Sequence, residues 1–299
     1  MSECQFDHVV VIGYGVVTGE VLKTVYSLAS KYGYTYEYIE HEVHPFNAAK
    51  KLAEAKGIPY NILQDKKDLT RYFEELLMKK TLIISASNNY LFPEKIVSSE
   101  NIVIINFHNA LLPELPGRNA PSWSIYEGKD YTGITWHYVT EGVDEGDIIV
   151  QKKCDVTADI KAYELVAVQM RLAGEAFDEC YESVLMNQAI RKKQVIEKDR
   201  RIYKSYEIPG NGCFNLDDSP KEIYKLLRAL DYGKNNIFPL ARTKKNGIDI
   251  QIRRYKKISV CDHDARQDSI YIPFDNENQL MLRLSLIHIS EPTRLALIS

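Results

Sequence analysis

The sequence predicts an α/β protein: a doubly wound, mostly parallel sheet of Rossmann-like type, followed by a smaller C-terminal β-rich domain. Three observations predict it. Continuous apolar runs ("HVVVIG", "TLIISA", "NIVIINFH") alternate with amphipathic stretches, as strands buried on both faces require. Glycines punctuate the strand-to-helix and helix-to-strand junctions. Beyond about residue 205 the texture changes to short alternating polar and apolar segments.

In chain order, "HVVVIGYGVVTGEVLKTVYSLASKYG" reads as a strand, a glycine turn and a helix ending at Gly33. "YTYEYIE" supplies a second strand, "PFNAAKKLAEAKG" a helix ended by Gly57, "DLTRYFEELLMKK" a third helix, and "TLIISAS" the next strand. After "NIVIINFH" come two strands, "TGITWHYVTEG" and "GDIIVQKKCDV", joined through "EGVDEGD". "AYELVAVQMRLAGEAFDECYESVLM" then carries apolar residues at helical spacing over several turns. The charged run "RKKQVIEKDRRIYK" from Arg191 reads as a solvated linker. In "SPKEIYKLLRALDYG", Ser219 is placed to N-cap a helix, Pro220 to start it and Gly233 to end it. "GIDIQIRRYKKISV" and "DSIYIPF" complete the small β-rich unit.

Expected boundaries are 1–205 for the first domain and 206–283 for the second, which is expected to be truncated. Residues 284–299 form a tail of different origin, because "LSLIHISEPTR" matches the translation of a sequencing-library adapter. The formal net charge of -3 leaves no global basic field of the kind that holds nucleic acid. The five cysteines never form a C-x-x-C pair, so neither a disulfide framework nor a zinc site is indicated, and no metal is expected. "MSECQFDH" lacks an apolar signal core, and the expected location is cytoplasmic.

Two sites compete for the chemistry. Gly13, Gly15 and Gly19 follow a strand and open a helix, which raises an NAD-dependent oxidoreductase with Glu40 or Glu42 on the ribose. Their G-x-G-x-x-x-G spacing is one residue longer than the dinucleotide pattern, and tight β-α turns need glycine for backbone reasons alone. The stronger site is "NFHNALLPELPG". Asn106 and His108, at i and i+2 of a strand, point to one side of the sheet, at the strand end where open parallel sheets bind ligands. Asp144, in the later strand connection, supplies a carboxylate. An amide, an imidazole and a carboxylate at a dry pocket suit acyl transfer to an amine without a nucleophilic Ser or Cys. His137 and Trp136 are expected to line or pack against that pocket, and His8, His41, His44 and His263 have no nameable partners.

"NFHNALLPELPGRNAPSWSIYEGKDYTGITWHYVTEGVDEGDIIVQ" resembles the core of the folate-dependent formyltransferase family, which includes methionyl-tRNA formyltransferase and the sugar N-formyltransferases. The resemblance rests on Asn-x-His at Asn106 and His108, Leu-Leu-Pro at Leu111 to Pro113, Thr-Gly-x-Thr at Thr132 to Thr135, and Asp-x-Gly at Asp144 and Gly146. It implies 10-formyltetrahydrofolate as donor, an amine as acceptor, and Asn106, His108 and Asp144 as the catalytic trio. It further implies a pterin pocket from Ser85, Ala86, Ser87, Asn88, Tyr90 and Leu91, from Leu111, Leu112 and Pro113, and from Thr140, Glu141, Gly142 and Val143.

For the acceptor, "RALDYGKNNIFPLARTK" with the Thr-Gly-x-Thr strand looks most like formylation domains of nonribosomal peptide assembly lines, which implies an aminoacyl group on a peptidyl carrier protein. Methionyl-tRNA and amino sugars are the alternatives. Residues 34–47 hold no Lys or Arg, where a tRNA enzyme is expected to be basic. DNA and membranes are not expected partners. A catalytically silent folate-binding domain is the remaining class.

Overall fold

A computed structural model of the chain describes residues 4–42, 47–235, 237–261 and 268–286. His44 and His263, and residues 287–299 of the expected tail, lie outside them. The chain forms two compact units. One runs to Pro121 and includes Asp130–Thr157 and Glu164–Ser205; the other contains Ser122–Lys129, Ala158–Tyr163 and the residues from Tyr206 on. This differs from a single cut at 205. Within the second unit Ser122 Oγ bonds the Tyr232 hydroxyl, and the carbonyl of Ile160 accepts from Arg228, so two short segments join it from earlier in the chain.

The first unit is a seven-stranded sheet of order β3-β2-β1-β4-β5-β6-β7. Its parallel part comprises β1 (His8–Gly13), β2 (Thr35–Glu40), β3 (Tyr60–Ile62), β4 (Thr81–Ala86) and β5 (Ile102–His108). β6 (Tyr131–Tyr138) and β7 (Ile148–Asp155) extend it antiparallel. Along the chain as far as Leu185, across both units, the helices are α1 (Gly15–Tyr32), α2 (Ala48–Lys56), α3 (Lys66–Glu75), α4 (Glu94–Val97), α5 (Ala120–Tyr126) and α6 (Ala162–Leu185). Local chemistry sets their ends. Asn47 Oδ1 accepts from the backbone of Ala49 and Lys50 to cap α2, which stops at Gly57 in the left-handed region. Asp65 caps α3 in the same way.

The strands are apolar throughout because both faces are covered. Along β1, Val9 and Val11 enter one core with Val21, Trp136, Phe177 and Tyr181, while Val10 and Ile12 enter the other with Leu69, Phe73, Ile83 and Ile96. Full burial of each such side chain contributes about 1.5–3 kcal/mol. α6 carries most of the first core's aromatic mass: the Phe177 ring stacks on Tyr181 at 4.8 Å and lies 5.1 Å from Trp136.

In the second unit, α7 (Pro220–Leu230) starts as the sequence predicts, with Ser219 accepting from the Glu222 amide and Pro220 in the first turn. It stops at Leu230, before the expected Gly233, where its apolar stripe of Ile223, Leu226, Leu227 and Leu230 ends. That stripe packs with Ile252, Leu280 and Leu282 of an antiparallel sheet, order β10-β11-β9-β8: β8 (Arg242–Lys245), β9 (Ile248–Ser259), β10 (Ser269–Pro273) and β11 (Asn278–Leu286). Leu284, Ser285 and Leu286 of the expected tail continue β11 against β9, after a register shift at Arg283/Leu284. Among the described residues no helix is long and apolar enough to cross a membrane.

Phe177→Ala removes a fully buried ring and is expected to cost about 3–5 kcal/mol in urea unfolding. Met78→Ser, at a side chain 91% exposed, should change stability by less than about 0.5 kcal/mol. Equal midpoints for the two variants would contradict this placement of the core.

Candidate active site

Three neighbouring strands set a polar row into an otherwise apolar sheet. Ser85 on β4 lies opposite Asn106 on β5, which lies opposite His137 on β6. Cross-strand partners project to the same face, so the side chains meet. Ser85 Oγ donates to Asn106 Oδ1 at 2.8 Å, fixing the amide orientation. Asn106 Nδ2 then reaches His137 Nε2 and the carbonyl of Phe107, each at 3.2 Å. The His137 ring is set from its other side: Nδ1 lies 2.8 Å from the carbonyl of Tyr138, which can only accept. Its Nε2 faces both the Asn106 amide and Asp144 Oδ1. A register shift between Trp136 and His137 bulges β6 at this point and aims the imidazole.

His108, two residues beyond Asn106, is buried, and its Nε2 donates to the carbonyl of Leu115 at 2.9 Å. Its Nδ1 lies 3.5 Å from Asp144 Oδ2, while Asp144 Oδ1 lies 3.5 Å from His137 Nε2. The backbone N–H of Gly117 donates to Asp144 Oδ2 at 2.7 Å. Burial holds His108 below the ordinary imidazole range, with Asp144 pulling the other way. For Asp144 burial opposes ionisation, but His108, His137 and the Gly117 amide outweigh it, and the carboxyl sits well below the usual carboxylate range. At neutral pH this gives a neutral His108, protonated on Nε2, with its Nδ1 lone pair turned toward a carboxylate. Asp144 holds φ +54, a left-handed conformation that a non-glycine residue adopts at a cost of about 1–2 kcal/mol.

The residues expected around a pterin divide by role. Ser85 orients Asn106, and Asn88 Oδ1 accepts from the Tyr90 amide to tie the loop after β4. Ser87 turns that loop at φ +58. Ala86 is fully buried, and its carbonyl receives the Thr18 hydroxyl. Tyr90 departs from expectation: its ring is buried against Phe73, Phe92 and His41 and its hydroxyl pairs with Thr70, so it belongs to the second core. Leu91 is the residue of that loop that stands out, 79% exposed. Leu112 is buried, its amide donating to Thr135 Oγ1 and its carbonyl accepting from Gln151. Leu111 packs at Gly133, and Pro113 is exposed. Thr140, Glu141 and Val143 are exposed, with Gly142 half-buried, on the loop that carries Asp144.

Two residue sets escaped the sequence reading. His137 was expected only to line the pocket, yet it contacts both Asn106 and Asp144. The charged run from Arg191 is no solvated linker over its whole length. Lys192 pairs with Ile148, and Tyr203 pairs with Gly117. Gln194 and Arg200 turn inward onto the Asp144 loop. The alternation of Gln194, Ile196, Arg200 and Ile202 among charged residues was the available signal.

The glycine turn serves packing. Gly13 has φ +145, and a Cβ there would lie 1.7 Å from the carbonyl oxygen of Ala86, so glycine lets β1 pass close to β4. Glu40, the expected ribose partner, is fully buried and bonded by Asn47, and Glu42 pairs with Asn89. The burial of Glu40 and the Glu42–Asn89 contact give no support to the oxidoreductase alternative. Among the described residues no group of His, Cys, Asp and Glu is placed to hold a metal ion.

Comparison with known proteins finds related chains. The formyl transferase family model matches residues 42–177. A methionyl-tRNA formyltransferase of Bacillus subtilis (strain 168) is 29% identical over 242 residues, spanning 78% of this chain and 74% of that protein. A sugar N-formyltransferase structure from a Shewanella species superposes with a TM-score of 0.66 at 21% identity, covering 83% of this chain and 96% of that one. The N-formyltransferase of Helicobacter canadensis, solved with folinic acid and dTDP-3-aminofucose, superposes with a TM-score of 0.64 at 14% identity over 94% of this chain and all (100%) of that one. The structural likenesses carry the fold, and the sequence matches support a folate-dependent formyltransferase family of formyl-transferring enzymes.

Proposed function

We propose that the chain transfers a formyl group from 10-formyltetrahydrofolate to a primary amine, with Asn106, His108 and Asp144 as the reacting-centre residues. One observation carries this reading. The Asp144 carboxylate and the His108 Nδ1 lone pair face each other at 3.5 Å, two acceptors with no proton of their own to share. Such a pair suits a group that brings N–H bonds, as an attacking amine does.

The residues present fit a formyl-folate. Leu91 and Val143 expose apolar surface on the loops after β4 and β6, suited to cover a flat ring. Bound there, formyl-folate would supply the formyl carbon, and its nitrogen would leave carrying the proton that Asp144 removes from the amine. The chain's part is positioning and charge. Asn106, half-buried and held by Ser85, turns one of its two long N–H bonds onto the carbonyl oxygen as negative charge grows there; a donor of this kind is worth about 10²–10³ in rate. Asp144, held ionised, takes up the proton lost by the amine. His108, kept neutral by burial, does not compete for the carboxylate, and its Nδ1 accepts an amine N–H.

The acceptor we propose is an aminoacyl group tethered to a carrier protein in nonribosomal peptide initiation. The absence of Lys and Arg from residues 34–47 and the formal charge of -3 disfavour a tRNA backbone. Methionyl-tRNA is the second reading, favoured by the function of the Bacillus subtilis relative.

Asn106→Ala and Asp144→Ala are each expected to lower turnover about 10²–10³-fold while folate binding, followed by intrinsic fluorescence, persists. Near wild-type turnover in either variant would remove the assigned roles. Offered an aminoacyl-loaded carrier protein and methionyl-tRNA side by side, the enzyme should formylate the carrier with the higher kcat/KM; preference for the tRNA would replace the acceptor assignment. The carboxylate raises the His108 pKa, so Asp144→Asn should move the titration midpoint of the His108 ring protons further down. An upward or absent shift would contradict the electrostatics of the site.

A further inference from the structure

We propose that the segment 191–203 is a strap that fixes Asp144 from both ends, making Gln194, Arg200 and Tyr203 positioning residues for the carboxylate. The inference rests on Asp144 acting as proposed above, but its geometry stands independently.

The backbone end is held by side-chain donors. Gln194 Nε2 donates to the carbonyl of Asp144 at 3.0 Å and to that of Gly146 at 2.7 Å. Arg200 donates to the carbonyl of Val143 at 2.7 Å and reaches that of Asp144 at 3.4 Å, and it pairs with the Glu145 carboxylate at 3.1 Å. Carbonyls at three of four consecutive positions are thus tied around the residue with φ +54. A left-handed Asp relaxes toward ordinary backbone unless its surroundings over-determine it, and these donors supply that constraint. Arg200 has only 10% of its side chain exposed.

The side-chain end is held through the strap's backbone. The Tyr203 amide donates to the carbonyl of Pro116 at 3.0 Å, and the Tyr203 carbonyl accepts from Arg118 at 2.9 Å. Between them lies Gly117, whose N–H holds Asp144 Oδ2. A Cβ on Gly117 would sit 2.2 Å from the Tyr203 carbonyl oxygen, and its φ is +96, so only glycine lets the strap lie this close. The strap is anchored where it starts: Lys192 and Ile148 exchange backbone bonds at 2.8 and 3.0 Å, and the Arg191 guanidinium lies over the Tyr138 ring at 3.7 Å. One run of chain therefore sets both the φ/ψ of Asp144 and the direction of its carboxylate.

The test uses the full chain with Gln194→Ala, Arg200→Ala and Arg200→Lys. If the strap positions Asp144, each Ala variant lowers kcat about tenfold to a hundredfold, with KM for donor and acceptor within about twofold. The melting temperature should fall by less than about 4 °C. Arg200→Lys should recover part of the loss, since it keeps the charge but not the forked geometry. In parallel the His108 ring protons, followed by NMR against pH, should titrate lower in both Ala variants as the carboxylate withdraws from the imidazole. Wild-type kcat, or a His108 midpoint unchanged in both folded variants, would overturn the inference. If the wild-type chain transfers no formyl group to any amine, the proposed function fails, and the NMR midpoint alone still decides whether the strap places the carboxylate.

Discussion

The site depends on keeping one buried carboxylate ionised beside a neutral imidazole. Removing an ion from water is costly, and Asp144 stays charged with the Gly117 backbone N–H donating to its Oδ2. His108 stays neutral for the complementary reason: burial disfavours its cation more than the carboxylate favours it. The sheet makes this arrangement possible. Strand register, rather than loop chemistry, puts Ser85, Asn106 and His137 side by side, and each fixes the orientation or tautomer of the next. The Asn106 amide is therefore preorganised by backbone ladders that cannot shift by one residue without turning every apolar neighbour out of the core.

The two cores explain why such a row is tolerated. Apolar residues fill the rest of both sheet faces, and the buried polar groups of the row satisfy one another instead of requiring water. The aromatic cluster of Trp136, Phe177 and Tyr181 lies behind β6, on the residue next to His137. Packing there stiffens the strand at its bulge, so the imidazole is aimed by the same element that anchors the core.

Much of this was legible in the sequence. The β-α alternation, Gly57 as a helix stop and Ser219 with Pro220 as a helix start all follow from local chemistry that the folded chain keeps. The convergence of Asn106, His108 and Asp144 was also legible, because strand period and a carboxylate in the return loop leave few other meeting points. The rest depends on tertiary register. His137 looked like a pocket wall because the bulge that aims it leaves no trace in residue pattern. Tyr90 was expected beside Leu91 in the pterin pocket but is buried in the second core, because a short irregular loop has no periodicity to say which side chain turns inward. The strap was hidden by its own charge. Exposed Lys and Glu dominate its composition, while Gln194, Arg200 and Tyr203 make the contacts that matter.

The central claim concerns one proton. Nitrogen NMR of the His108 side chain at neutral pH reads it directly, because the two ring nitrogens differ widely in shift between protonated and lone-pair forms. A neutral ring carrying its proton on Nε2, with the Nδ1 lone pair toward Asp144, is the predicted result. An imidazolium protonated at both nitrogens at that pH, or a neutral ring protonated on Nδ1, would contradict the account.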